Sequence, residues 1–184
     1  PKGPPVTPSV ITHEFLDPAQ IERAIGALTR VWGSRGWVII GGLAAQRWGS
    51  RRLTMDVDIL VSSPRVPDPR TPSTPLGGLQ GFGGVTTTIE GVPLDIMWPI
   101  TPEADTLTDA CLDGAIITKG VPFASFSAVT ALKMWSGRGK DLDDVCGMFR
   151  AQSCEAQRVA IRTVRHYVGT DAIADLRGHR AAYG

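Results

Sequence analysis

The sequence predicts an α/β (α+β) fold, a small mixed sheet with flanking helices and a C-terminal helical layer. Two observations carry this prediction. Short apolar runs of strand length alternate with turns and short helices in residues 37–124, whereas the pattern after residue 126 is helical throughout. Because strands come early and helices late, the helices are expected to pack on a sheet-centred core. A hydrophobic content of 42% and a charged content of 20% are typical of a chain that can build such a core.

The individual elements are predicted from caps, periodicity and turn residues. Asp17 followed by Pro18 is typical of a helix start, and Glu90-Gly91 between two apolar runs indicates a hairpin turn. In chain order the expected elements are helix 18–32, strand 37–40, helix 43–48, strand 55–61, hairpin 85–89 with 92–98, helix 103–112, hairpin 115–118 with 121–124, and helices 127–136, 140–151, 155–168 and 171–181.

Three regions follow from these elements. Residues 1–16 are proline-rich without an apolar core segment, and they predict an extended or disordered lead-in and not a signal peptide. Residues 17–125 are the predicted core, and residues 126–184 a helical region packed on it. Within the core, residues 62–84 are rich in proline and glycine, and they predict a mobile surface loop that holds no helix or inner strand.

Composition limits the class of protein. No apolar stretch approaches the roughly 18 residues of a membrane span, so no membrane partner is expected. The three cysteines lack C-x-x-C spacing, which favours neither a disulfide framework nor a zinc site and makes the cytoplasm the expected location. A net charge of +1 gives no global attraction to nucleic acid, so any such binding must be local.

Two carboxylates, Asp56 and Asp58, interrupt the apolar strand 55–61. Alternation along a strand places both on one face, where they repel each other unless a cation lies between them. Asp95, in a second apolar strand, is the expected third partner. Hard oxygen ligands suit Mg²⁺ (or Mn²⁺), and three carboxylates would hold two such ions. The alternatives are a solvated strand face for the pair and a strand-end cap for Asp95.

The Gly41-Gly42 pair closes the first strand fourteen residues before Asp56. Glycines at a strand-to-helix turn let backbone N–H groups approach a phosphate, although a plain tight turn explains them equally well. Ser50, Arg52 and Thr54 lie between the two motifs, where one or more would contact phosphates or cap the preceding helix and its loop.

Ile40-Gly41-Gly42, Asp56-Val57-Asp58 and the downstream Asp95 together resemble the signature of the nucleotidyltransferase superfamily, whose polymerase-β-like fold uses all three carboxylates as metal ligands. The segments Phe126 to Lys133 and Arg138 to Val145 are similar to the C-terminal motif of AbiEii-type abortive-infection toxins and related minimal nucleotidyltransferases. This resemblance implies that Lys133 binds nucleotide phosphate, with support from Arg138, Lys140, Asp141 and Asp144.

Considered alone, the second motif has simpler interpretations. Asp141 and Asp144 have the spacing of an N-cap and an acidic third residue of a helix. Arg138 and Lys140 would then be solvated loop charges, and Lys133 would lie along its helix with its ammonium group in water.

The expected function is Mg-dependent transfer of a nucleoside monophosphate from an NTP to an acceptor hydroxyl. The resemblance implies the toxin of a toxin–antitoxin pair, acting on RNA, tRNA or protein and paired with a cognate antitoxin. A basic face, Arg158, Arg162 and Arg165, would suit a phosphate backbone, or is merely solvated. The alternative function is an antitoxin-like or degenerate nucleotide-binding module without turnover.

Overall fold

A computed structural model describes residues 15–77 and 79–183, with the backbone alone for residues 180–183. Residues 1–14, most of the predicted lead-in, lie outside the described residues. Within these ranges the elements are α1 Pro18–Trp32, β1 Trp37–Ile39, α2 Gly41–Arg47, β2 Val57–Val61, β3 Thr74–Pro75, β4 Phe82–Ile89, β5 Val92–Pro99, α3 Pro102–Asp113, β6 Ile116–Thr118, β7 Val121–Phe123, α4 Phe126–Ser136, α5 Gly139–Ala151, α6 Cys154–Tyr167 and α7 Thr170–Tyr183.

The strands form one mixed sheet in the order β3-β4-β5-β2-β1-β7-β6. Its centre is built from β1 and β2, which run antiparallel, and from β5, which runs parallel to β2. The hairpin partner β4 lies antiparallel on the far side of β5. A mixed sheet with flanking helices is therefore confirmed, and no described helix is long and apolar enough to cross a membrane.

Helix α1 has the predicted bounds because its caps fix both ends. The Asp17 side chain accepts a hydrogen bond from the Gln20 backbone N–H, and the Asp17 backbone N–H donates to the Gln20 side-chain oxygen, forming a capping box. Gly33 ends the helix at a positive φ of 68°. The hairpins and the later helices also occur where they were predicted, within a few residues.

Two predicted boundaries near the acidic motif were wrong. Strand β2 begins at Val57, so Asp56 precedes the strand instead of lying within it. The Thr54 hydroxyl oxygen lies 3.2 Å from the backbone oxygen of Asp56, within the bend before β2. Helix α2 begins at Gly41 and not at residue 43, because a φ of +61° at Gly41 turns the chain directly out of β1.

Within the stretch 62–84, residues 62–73 hold no helix or strand, as predicted, but residues 74–75 and 82–84 form strands. These strands are the edge strand β3 and the first three residues of β4, and hydrogen bonds to neighbouring elements hold the backbone of the stretch in place. The Leu76 amide donates to the Gly84 oxygen at 2.9 Å, and the Trp135 indole donates to the Gln80 oxygen at 2.8 Å. Gly83 is required for close packing here, because a Cβ on it would approach the Trp98 indole nitrogen to 2.8 Å.

Helix α4 lies at the centre of the helical layer. It packs against α5 and α6 and also contacts α2, so it joins the C-terminal helices to the beginning of the core. Ser125 caps it, and Gly137 ends it in the left-handed conformation at φ 64°. Most of its side chains are buried, including that of Lys133, the single charged residue among them.

Candidate active site

The three predicted acidic residues converge at one end of the central strands. Asp58 in β2 and Asp95 in β5 occupy paired positions of the parallel ladder, and Asp56 lies just before β2. Each offers a carboxylate oxygen, and these three oxygens lie within 4.8 Å of one another. All three residues are half-buried. The parallel register therefore places the downstream carboxylate against the upstream pair.

Each carboxylate receives one hydrogen bond from a neighbouring donor. The Thr54 hydroxyl donates to Asp56 Oδ1 at 2.8 Å, and the Thr86 hydroxyl donates to Asp95 Oδ1 at 2.7 Å. The backbone N–H of Gly42 donates to Asp58 Oδ2 at 3.3 Å. These donors orient the carboxylates and use only part of their acceptor capacity, since an ionised carboxylate has about four acceptor sites.

The crowding and burial of negative charge raise the pKa values of two of the carboxylates. Burial, together with repulsion from Asp56 and Asp95, raises the pKa of Asp58 to about 7. Burial also raises the pKa of Asp95, partly offset by the Thr86 hydroxyl and by the positive charge of Lys140. Three ionised carboxylates at this spacing are therefore unfavourable without a cation.

The donor set fits a hard divalent cation. Carboxylate oxygens alone, without histidine or thiolate, suit Mg²⁺ or Mn²⁺ better than softer metals. Asp56, Asp58 and Asp95 would hold the ion. In the part of the chain that the structure describes, they form the one such acidic group whose ligand atoms lie this close together.

The glycine pair lies against the acidic residues. A Cβ on Gly41 would lie 1.8 Å from Asp58 Oδ2, and a Cβ on Gly42 would lie 2.7 Å from the Thr54 hydroxyl oxygen. Both positions therefore require glycine for close packing. Because the Gly42 amide already donates to Asp58, the pair builds the carboxylate site whether or not it also faces a phosphate.

Lys133 lies between two buried carboxylates. Its Nζ atom is 3.0 Å from Asp141 Oδ1 and 2.7 Å from Asp144 Oδ2, and its side chain is 5% exposed. The alternative interpretation, in which its ammonium group lies in water, was wrong, because α5 brings both aspartates against α4. The cap interpretation of Asp141 was also wrong. Arg138 occupies the N-cap position of α5, and Asp141 lies in the first turn.

Further donors complete this buried network. Asp144 also accepts from Arg52 Nη2 at 2.8 Å and from the Ser50 hydroxyl at 2.6 Å. Asp141 also accepts from Arg138 Nε at 2.7 Å and from the Ser136 hydroxyl at 2.6 Å. These bonds join the segment before β2 to α4 and α5, behind the acidic cluster.

The acidic cluster lies in an open cleft, and most of the remaining predicted residues line this cleft. Arg138 and Lys140 are exposed at its rim, and Arg52 is partly exposed. Asp144 contributes to the buried network and does not line the cleft. The cleft is lined by the three acidic residues, the glycine pair, Ile40, Arg52, Thr54, Met55, Leu79, Met97, Leu132, Lys133, Ser136, Arg138, Lys140 and Asp141.

Sequence reasoning missed Thr86, although a signal for it existed. In the β4–β5 hairpin, a turn at Glu90-Gly91 pairs Ile89 with Val92, and counting outward places Thr86 opposite Asp95. The sequence did not indicate that Ser50 bonds to Asp144, since the two residues lie 94 positions apart. Leu79 was missed because residues 62–84 were expected to form a loop.

No family model matches the sequence, and no curated protein matches it. Among solved structures, the chain is similar to a crystal structure described as that of a "putative nucleotidyltransferase from H. pylori". That match has a TM-score of 0.44 and 9% sequence identity, and it covers 97% of this chain and 100% of the other. The function of the chain is therefore inferred from the geometry of its own site.

Proposed function

We propose that this chain is a divalent-metal-dependent nucleotidyltransferase. It would transfer a nucleoside monophosphate from an NTP to an acceptor hydroxyl. The observation that carries the proposal is the acidic cluster, in which carboxylate oxygens of Asp56, Asp58 and Asp95 lie within 4.8 Å of one another beside a cleft with a basic rim. Such a site attracts a cation inside and phosphates at its edge.

In the proposed reaction the acceptor oxygen attacks the α-phosphorus of the NTP. The bond between that phosphorus and the bridging oxygen to the β-phosphorus breaks, and pyrophosphate leaves. A bound divalent ion would supply neutralisation of the phosphate charge. Asp95 would help to orient the acceptor hydroxyl, whose proton would pass to Asp95 or to solvent water as the oxygen attacks.

The cations around the cleft would orient the triphosphate. Arg138 and Lys140 present charge at the rim, and Arg52 lies between the cleft and the buried network. Gly41 and Gly42 line the same cleft, beside Thr54 and Asp58. Much of the rate enhancement in such a reaction comes from alignment and charge neutralisation, so these positions would affect turnover as well as binding.

The test uses NTPs labelled at either the α- or the γ-phosphate, with Mg²⁺ or Mn²⁺ and with total RNA, tRNA or a protein extract as acceptor. Nucleotidyl transfer moves the α-label into the acceptor and releases pyrophosphate, whereas phosphoryl transfer moves the γ-label. Asp56→Asn and Asp95→Asn should each abolish transfer while the protein stays folded, and Asp109→Asn, an exposed position on α3, is the matched control. Label transfer that survives Asp56→Asn would exclude the proposed mechanism.

A second candidate is a nucleotide-binding module without turnover. The observation that favours it is the position of Lys133, whose ammonium group already contacts two carboxylates. A lysine held this way is less available to a triphosphate. Nucleotide binding that depends on Mg²⁺, with no transfer for any NTP and acceptor, would support this candidate over the enzyme.

For the biological role we propose a toxin of the AbiEii type, acting in the cytoplasm and paired with a cognate antitoxin. This proposal rests on the resemblance of residues 126–145, with tRNA or protein as the acceptor. Expression in a bacterial host should arrest growth, and Asp58→Asn should relieve the arrest at equal protein level. An antitoxin-like role would instead give no growth arrest on expression alone.

A further inference from the structure

Two threonines hold the outer carboxylates of the acidic cluster. Thr54 lies just before Asp56 and is buried, and its hydroxyl donates to Asp56 Oδ1. Thr86 lies on β4, directly across the hairpin from Asp95, and its hydroxyl donates to Asp95 Oδ1. The two threonines come from separate parts of the chain and make the same contact with different carboxylates.

The two hydrogen bonds restrict how each carboxylate can turn. A threonine hydroxyl has a single proton to donate, and a β-branched side chain has few χ1 rotamers, so the backbone sets the position of the donor oxygen. With Oδ1 bonded to threonine, rotation of the carboxylate about its last bond breaks that contact. The orientation of Oδ2 is fixed as a consequence. In metal sites, outer partners of this kind orient the ligands and affect metal affinity.

The β4 strand makes the Thr86 contact rigid. Every residue of β4 pairs with β5, from Phe82 opposite Pro99 to Ile89 opposite Val92. Thr86 cannot shift along Asp95 without moving the whole ladder. The next two residues are also threonines, but neither hydroxyl donates to Asp95. The buried Thr87 hydroxyl donates to the Pro72 oxygen at 3.0 Å, and Thr88 is exposed.

We propose that Thr86 and Thr54 are positioning residues for a divalent cation, holding Asp95 and Asp56 each with one oxygen free to bind it. This inference rests on the proposed function, adds Thr86 to its site and gives Thr54 a role in holding the metal ligands. The two threonines act through the carboxylates and do not themselves contact substrate. The prediction specific to it is that removing the Thr86 hydroxyl weakens metal binding without unfolding the protein.

The run Thr86-Thr87-Thr88 provides its own controls. Thr86→Val removes the hydroxyl at constant shape, and Thr86→Ser restores it. Thr87→Val removes a buried hydroxyl hydrogen bond that faces away from the acidic cluster, and Thr88→Val removes an exposed one. Mn²⁺ affinity is measured for each folded variant by electron paramagnetic resonance, without nucleotide, and the unfolding temperature is measured in parallel.

Thr86→Val should weaken Mn²⁺ binding about tenfold, in the range found for outer partners of metal ligands, and Thr86→Ser should recover most of it. Thr87→Val should lower the unfolding temperature but leave the Mn²⁺ affinity unchanged, and Thr88→Val should change neither. Equal Mn²⁺ affinity in Thr86→Val and the wild type overturns this inference alone. If the wild type itself binds no Mn²⁺, the proposed function fails and this inference with it.

Discussion

Asp58 and Asp95 lie side by side at paired positions of the parallel strands β2 and β5. Because side chains at paired positions of a ladder point to the same face, the two carboxylates share one side of the sheet at one level. Asp56 adds a third charge from the segment before β2. The protein therefore concentrates negative charge where burial makes it costly, and this arrangement links the stability of the fold to pH and to cations.

The first prediction concerns Asp58→Asn in the absence of divalent metal. The pKa of Asp58, raised to about 7, means that the folded state binds a proton more tightly than the unfolded state does. The sign follows from linkage: stability falls as pH rises between the unfolded value of 3.8 and about 7. The variant lacks this loss, so it should be more stable than the wild type at pH 8, and the difference should shrink toward pH 5.

The measurement is thermal unfolding at pH 5, 6, 7 and 8 in a chelator. One pKa unit corresponds to about 1.4 kcal/mol, or roughly 3–5 °C for a chain of this size. Asp109→Asn, at an exposed position, should show no such pH-dependent gain. A variant that is less stable than the wild type by the same amount at every pH would contradict the prediction.

The second prediction compares two glycines of similar conformation. Gly41 has a φ of 61° and Gly137 a φ of 64°, but a Cβ on Gly41 would overlap the Asp58 carboxylate, whereas a Cβ on Gly137 would find its nearest atom at 4.0 Å. Alanine at either position incurs the cost of a left-handed backbone, about 1 kcal/mol. Gly41→Ala should cost roughly 1–3 kcal/mol more, because Asp58 must move.

The stability of both variants is measured by chemical denaturation, and their Mn²⁺ affinity shows the consequence for the acidic cluster. Gly137→Ala should keep the Mn²⁺ affinity of the wild type, whereas Gly41→Ala should lose most of it. Equal stability and equal Mn²⁺ affinity in the two variants would show that Gly41 serves only as a turn residue.

Local rules predicted most of the elements but not the pairing between distant ones. Alternation of strand residues and the Glu90-Gly91 turn were sufficient for the hairpin of β4 and β5. Asp17 and Pro18 were sufficient for the start of α1. Asp95 was expected to join Asp58 on chemical grounds, but the pairing that brings them together was not predicted. Strand β2 pairs directly with β5, although β3 and β4 lie between them in the chain, and chain order alone does not determine that register.

Long-range packing also determines whether Lys133 is buried and whether the glycine-rich stretch joins the sheet. A lysine on a helix is ordinarily solvated, and only the approach of α5 encloses Lys133 between Asp141 and Asp144. A run of prolines and glycines ordinarily predicts a loop. Residues 82–84 instead join β4, because β5 offers a ladder to Gly83 and Gly84, and the Trp135 indole donates to the nearby Gln80 oxygen.

The third prediction concerns Lys133→Met. Removing the cation leaves Asp141 and Asp144 as buried carboxylates with fewer partners, which costs about 3–5 kcal/mol for a broken buried ion pair. Lys140→Met, at an exposed position, is the matched control and should change stability by less than about 0.5 kcal/mol. Urea unfolding at pH 7 measures both variants.

The network around Lys133 also predicts how the stability of the protein changes at acid pH. Burial alone would raise the pKa of Asp141 and of Asp144. For Asp141 the charge of Lys133 leads the effects that outweigh burial, and for Asp144 the hydrogen bond from Arg52 does, so both pKa values are lowered. Their contribution to stability is therefore present above the ordinary aspartate value of 3.8 and is lost as pH falls through the lowered values. The difference between Lys133→Met and the wild type should narrow in that acid range, and a constant difference down to acid unfolding would argue against the network.

The last prediction concerns metal addition and removal. A divalent ion that binds the folded state alone stabilises it, by about 1.4 kcal/mol at a tenfold excess over its dissociation constant. Binding at Asp58 must displace a proton below a pKa of about 7, so the stabilisation by Mg²⁺ should be larger at pH 8 than at pH 6. Asp58→Asn should abolish both the stabilisation and its pH dependence, and EDTA should reverse the effect in the wild type. Sodium chloride at matched ionic strength controls for screening, which acts on exposed charges at either pH. An Mg²⁺ effect that sodium chloride reproduces, or that persists in Asp58→Asn, would mean that the ion does not bind at the acidic cluster.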